Sequence, residues 1–252
     1  MGGVPLWVVF VATLLLVLVA VEIGYRIGLI RQRGRAHEKE APVGAMVGAA
    51  LGLFAFLLAF TFGFAANLFQ AKRDVLLEEA NAIGTAYLRA DFLPQAERRA
   101  VRELLREYVD VRLAAAQSGD VEAAISRSAE LHAQLWTLGT AGVRENPDSI
   151  VGGLFIQALN ELIDLHAKRV MVAVRSRIPP AIWIALYAIA FFALGTMGYH
   201  SGLAGAPRSY AIVAVAFSAA IWLITDLDTA QEGSLRVSQQ TMVDVRESMD
   251  AP

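Results

Sequence analysis

The chain has 252 residues, 56% of them hydrophobic and only 18% charged, with a formal net charge of -2 at pH 7 and a mean hydropathy of +0.48. This is too apolar for an ordinary soluble domain, and the nearly balanced charge offers no basic face for nucleic acid. Cysteine is absent, which excludes disulfides and thiolate metal sites, and the four histidines, His37, His132, His166 and His200, lack metal-binding spacing. No metal or other cofactor is expected.

Leu6 to Ile23 is the first apolar stretch. It reads as an uncleaved span, because Leu18 is large for a signal-cleavage position and no basic residue precedes the stretch. The second, Val43 to Phe69, holds 27 residues without a formal charge. At about 1.5 Å per residue it crosses a bilayer core of about 30 Å with length to spare. Ile178 to Tyr199 and Tyr210 to Thr225 are the third and fourth. Pro179 and Pro180 open the third, at helix-start positions where a missing N–H costs nothing.

Between the second and third spans lies amphipathic helical sequence without the period-2 alternation of strands. No Gly or Pro separates Asn67 from Ile83, so the second membrane helix runs on to about Phe92. Pro94 opens a helix that ends at Ser118-Gly119-Asp120, and Asp120 caps another reaching about Leu138. Asn146-Pro147-Asp148-Ser149 forms a turn, and a long helix from Ile150 to about Arg177 returns to the membrane, with Asp164 and Lys168 as an i,i+4 pair.

The fold class is therefore all-α, a four-helix transmembrane bundle with a large helical aqueous domain between the second and third spans. Residues 1–69 form the first two spans and a basic connecting loop, 70–177 the aqueous domain, 178–228 the last two spans, and 229–252 a polar C-terminal tail. An even number of spans places both termini and the helical domain on one side. Charge counts disagree about which side. Arg26, Arg31, Arg33, Arg35, Lys39 and Arg208 draw the short loops to the cytoplasm, whereas Lys72, Arg73, Lys168, Arg169, Arg175 and Arg177 draw the domain there.

Gly44, Gly48 and Gly52 repeat at four-residue spacing, a pattern that allows close helix approach in lipid, either within one chain or between copies. Phe56, Phe60 and Phe64 form a second stripe on the same segment. Around an axis they would make a hydrophobic constriction; otherwise they face lipid or a bundle core. Asp226 and Asp228 place carboxylates at the membrane edge, where pairing with Arg175 or Arg177 is expected. Gln157, Asn160, Glu161, Asp164, His166 and Arg169 give the long helix a polar network, and no nucleophile-and-base arrangement points to an enzyme.

Four ordered segments, Leu76 to Pro94, Leu154 to Val170, Arg177 to Trp183 and Thr225 to Gln240, resemble the bacterial bestrophin-like membrane family, itself distantly similar to the bestrophin anion channels. The resemblance implies an inner-membrane homo-oligomer, pentameric by analogy, that passes small inorganic anions through a pore lined by the second span. Phe56, Phe60 and Phe64 would be the neck. Glu79, Asn81, Asn160, Asp164, His166, Arg177, Asp226 and Asp228 would be the family's polar positions. It also implies cytoplasmic placement of the helical domain and both termini. Where the family pattern continues Arg-Pro after Asp228, this chain has Thr229-Ala230, and it lacks the acidic run that binds calcium in animal bestrophins, so calcium gating is not expected. The alternative function is a non-conducting membrane scaffold or sensor whose helical domain binds a partner.

Overall fold

The computed structural model describes residues 5–34, 40–144, 148–206, 211–229 and 235–250. Among these residues the chain is helical and has no strand. The helices are α1 (Leu6–Gly34), α2 (Glu40–Arg89), α3 (Gln95–Ser118), α4 (Val121–Arg144), α5 (Ile150–Arg169), α6 (Pro180–Leu203), α7 (Ala211–Asp228) and α8 (Gln240–Ser248). Three helical stretches among the described residues are long and apolar enough to cross a membrane: Leu6–Arg33, Val43–Phe92 and Ile150–Leu203. The expected fourth span coincides with α7, which has 18 residues. Arg35, Lys39 and Arg208 of the basic loops, and the Asn146-Pro147 turn, lie outside the described residues.

Contacts divide the chain into two compact units. One comprises Met1–Phe69 and Arg177–Arg236, the other Gln70–Ser176 and Val237–Pro252. The helix α2 contributes to both, because nothing between Asn67 and Ile83 breaks its backbone hydrogen bonding.

In the first unit, α1 packs along α6 through glycine. A Cβ added to Gly24 would collide with the Gly195 carbonyl, one on Gly28 with Tyr199 O, one on Gly198 with Val21 O, and one on Gly202 with Tyr25 O. Backbone therefore meets backbone, which is how helices gain attraction in lipid without a hydrophobic driving force. The sequence motif lies elsewhere. Gly48 and Gly52 have nothing within 4 Å of an added Cβ, and Gly44 meets only His200 Nε2 at 3.5 Å. Val17, Val21, Phe54, Leu186, Leu194 and Ile221 fill the bundle interior, and Thr13 Oγ1 shares a 2.8 Å hydrogen bond with the Tyr187 hydroxyl.

The second unit is a helical bundle around Ile83, Val101, Leu105, Leu131, Leu135, Phe155, Leu159 and Leu162. Its joints follow local chemistry. Gly119, at φ 78°, ends α3 in the left-handed conformation. Asp120 Oδ1 accepts the Ala123 N–H at 3.2 Å, and Ser149 Oγ accepts that of Gly152 at 3.1 Å. The helix α4 continues to Arg144, past the expected end near Leu138, because Gly139 and Gly142 pack closely against Phe155 and against Leu93 and Pro94. The helix α5 stops at Arg169 and relaxes into a wider π turn over Val170–Arg175. Extended backbone follows at Ser176, as the approaching Pro179-Pro180 pair favours.

The residues read as a polar tail contain α8. Met242 and Met249 enter the core of this unit, Tyr87 donates its hydroxyl to Met249 O at 2.9 Å, and Arg246 Nε donates to Asp110 at 2.7 Å. The expected Asp164–Lys168 pair gives way to a longer-range one. Lys168 Nζ lies 2.6 Å from Glu78 Oε2 on α2, and a cross-helix partner ties two elements where an i,i+4 partner would tie one turn.

Candidate functional site

In the first unit, Phe56 and Phe60 project outward from α2 and are 69% and 58% exposed. Phe64, the third member of the stripe, is half-buried against Ala65, Ile178, Ile224 and Leu227. A single chain thus leaves two large aromatic rings of the expected neck uncovered.

The two acidic residues at the end of α7 are buried, and Asp228 has a specific task. Pro179 and Pro180 carry no N–H, so the last backbone donor before α6 is that of Ile178, which is itself buried. Asp228 Oδ1 accepts it at 2.8 Å. Asp226 Oδ1 stands 3.5 Å from the Leu235 N–H. These backbone contacts offset part of the cost of burying the carboxylates. Arg177 is exposed.

In the second unit Glu79 is fully buried at the centre of a charged and hydrogen-bonded cluster. Arg169 binds its Oε2, the Tyr108 hydroxyl donates to its Oε1 at 2.6 Å, and Arg112 Nε stands 3.7 Å from Oε1. Tyr108 also lies 3.0 Å from His166 Nδ1, and the His166 ring meets that of His132 edge to face, with centroids 4.9 Å apart. Burial alone would raise the pKa of Glu79. The Arg169 charge, with His166, Arg112 and Tyr108, overrides it and holds the carboxylate well below the usual range. The same burial and the Glu79 charge push the Tyr108 hydroxyl well above its ordinary value. Burial, and then His166 and Arg112, push His132 down to about 4, so it is neutral at pH 7.

Of the polar residues singled out from sequence, the structure brings Glu79, His166 and Arg169 into this cluster. Asn81, Asn160 and Asp164 fall on another face. They line an open groove of about 800 Å³ between α2 and α5, together with Glu78, Glu161 and Lys168. Tyr108, Arg112 and His132 were not singled out. Their signal was present, since each occupies a core-facing position of an amphipathic helix where an apolar residue is the norm.

A family model described as the Bestrophin-like domain matches residues 14–242. The chain belongs to this family. Comparison with curated proteins finds no match. Among solved structures, a tryptophan-to-alanine variant of a bacterial bestrophin homologue from Klebsiella pneumoniae aligns with a TM-score of 0.70 at 16% identity, covering 98% of this chain and 97% of that one. Another structure of the Klebsiella pneumoniae homologue gives a TM-score of 0.67 at 16% identity, with 97% of each chain covered. A proline-to-alanine variant described as a membrane protein gives 0.67 at 15% identity, again with 97% of each chain covered. At such identity the likeness concerns the fold. The Bestrophin-like match spans both units, including Phe56, Phe60 and Phe64, the Glu79 cluster and the Asp228 cap.

Proposed function

We propose that the protein is an oligomeric ion channel of the bacterial inner membrane, with four spans, a cytoplasmic helical domain and a neck made by Phe56, Phe60 and Phe64. The observation that carries this reading is the exposure of Phe56 and Phe60 on a helix that also leaves Gly48 and Gly52 without a neighbour among the described residues. One row of α2 is then available to other copies, with small residues for close approach in its first half and rings for an axis further along. Stacked at four-residue intervals, the rings form an apolar sleeve roughly 12 Å long. Ions cross such a sleeve slowly because they shed water without gaining ligands, and the sleeve acts as a gate. A pentamer passing small inorganic anions follows from the bestrophin resemblance.

A second reading within the same class, passage of cations, is favoured by the groove of the helical unit, where Glu78, Glu161 and Asp164 face Lys168 as the one basic residue of the lining. A vestibule with that lining concentrates cations.

Flux into liposomes containing the purified full chain tests both readings. The channel reading expects Phe60→Ala to widen and wet the neck and to raise conductance, with little change from Leu58→Ala. Absence of flux for the native chain and for the Phe60→Ala and Phe64→Ala variants alike would return the protein to the scaffold class. The reversal potential in a potassium chloride gradient separates anion from cation passage.

A further inference from the structure

Among the described residues of the helical unit, six buried side-chain polar atoms have no hydrogen-bond partner; three are the Nε atoms of Arg98, Arg102 and Arg106, and the other three, Arg112 Nε, Ser128 Oγ and His132 Nε2, lie on facing turns of α3 and α4. Each of these last three residues is more than nine-tenths buried. Helix register brings them together. The helices α3 and α4 pack side by side and run in opposite directions across the short Gly119-Asp120 turn. The Tyr108 and His132 rings face each other with centroids 5.0 Å apart. One turn beyond Tyr108 on α3 is Arg112, and one turn before His132 on α4 is Ser128, so antiparallel packing sets these two at the next level of the same seam.

The charges at this corner do not balance. Glu79 is the only carboxylate among the described buried side chains of this unit, and it faces two guanidinium groups, Arg112 and Arg169. Its Oε2 is taken by Arg169 and its Oε1 by the Tyr108 hydroxyl. Arg112 Nε, at 3.7 Å from Oε1, stays outside hydrogen-bonding range. One buried positive charge is left without a hydrogen-bonded counterion, a costly arrangement in a low-dielectric interior. All three orphaned atoms can also act as donors: the guanidinium Nε–H always, the hydroxyl by rotation, and the imidazole in its Nε2–H tautomer. A water molecule would answer the hydrogen bonds but leave the charge. A small anion answers both.

We propose that Arg112, Ser128 and His132 form a binding site for one small monovalent inorganic anion of the halide type. The site is structural, neutralising the seam between α3 and α4, and it does not rest on ion conduction, since a chain that conducts nothing can still hold the ion. Bromide is the probe. In crystals of the full chain grown with bromide in place of chloride, an anomalous difference peak is expected within hydrogen-bonding distance of Arg112 Nε and Ser128 Oγ. A water there, with no anomalous signal, overturns the proposal.

Bromide titration of thermal unfolding, with gluconate as the reference anion, supplies the second readout. The native chain is expected to gain stability with bromide. Ser128→Ala should need roughly five-fold more bromide for the same gain, the loss of one hydrogen bond of about 1 kcal/mol, and Arg112→Met should show no gain. Equal responses from the native chain and Ser128→Ala overturn the assignment even if Arg112→Met fails to fold.

Discussion

The two units hold their helices together by opposite means. In the first, α1 and α6 meet through Gly24, Gly28, Gly195, Gly198 and Gly202, with carbonyl oxygens where side chains would otherwise stand. In the second, an aliphatic core surrounds a fully buried carboxylate and its basic partners. Packing that relies on absent side chains is indifferent to pH and intolerant of volume. Packing around Glu79 tolerates small changes of shape but depends on charge and protonation.

The largest expected effect is on the charged cluster. Glu79→Ala leaves Arg169 and Arg112 buried without their carboxylate, and should cost about 3–5 kcal/mol. Hydrogen exchange should show faster opening of α3, α4 and α5 with α1 and α6 unchanged. Equal loosening of both units would erase the distinction between them.

Next is Gly198→Leu, which forces a side chain into the Val21 carbonyl and should cost about 3 kcal/mol. Limited proteolysis in detergent should then release α1 from α6. Retention of native resistance would mean that the seam yields easily.

Acid should soften the second unit. His132 has its folded pKa lowered from 6.5 to about 4. The unfolded chain therefore takes up the proton first, and stability falls as pH drops from about 6.5 toward 4. Glu79, held below its ordinary range, adds a further loss once pH falls below about 4.5, its unfolded value. His132→Phe should flatten the upper part of this profile when unfolding is followed by hydrogen exchange. An identical profile in the variant would assign the acid sensitivity elsewhere.

The smallest effect on folding sharpens the comparison most. Gly48→Leu with Gly52→Leu should change the stability of the first unit by less than about 0.5 kcal/mol, because nothing among the described residues opposes the new side chains. The same pair should lower the oligomer number measured by native mass spectrometry. Intact oligomers would mean that this face meets lipid.

Much of the fold was legible from local chemistry. The run of α2 to Arg89, the Pro94 start of α3, the Gly119 stop and the Asp120 cap all follow from residues that act on their own turn. The glycine seam was harder to read. Spacing reveals that a face is small, but not what it meets, so Gly44, Gly48 and Gly52 drew attention while Gly24, Gly28, Gly198 and Gly202 made the contact.

The same limit governs the polar residues. Glu79 and Asn81 are two positions apart on one helix, yet one is wholly buried and the other lines an open groove. The difference is the rotation of α2 against α3 and α5, which only tertiary packing sets. Tyr108 and Arg112 passed as ordinary members of an amphipathic helix, because their partner Glu79 lies 29 and 33 residues away in sequence. The helix α8 is hard to read because its apolar content is slight: Met242 is its buried anchor, and Met249, just past its end, is the other.

The Asp228 cap has a consequence for the order in which the chain is made. The Ile178 amide and the carboxylate that accepts it are 50 residues apart. While a ribosome is still making α6 and α7, the entrance of α6 has no acceptor for its last amide before two prolines. The start of α6 can be locked only once the end of α7 has emerged. A nascent chain stopped just short of Asp228 therefore has both apolar helices but not the bond that fixes where α6 begins.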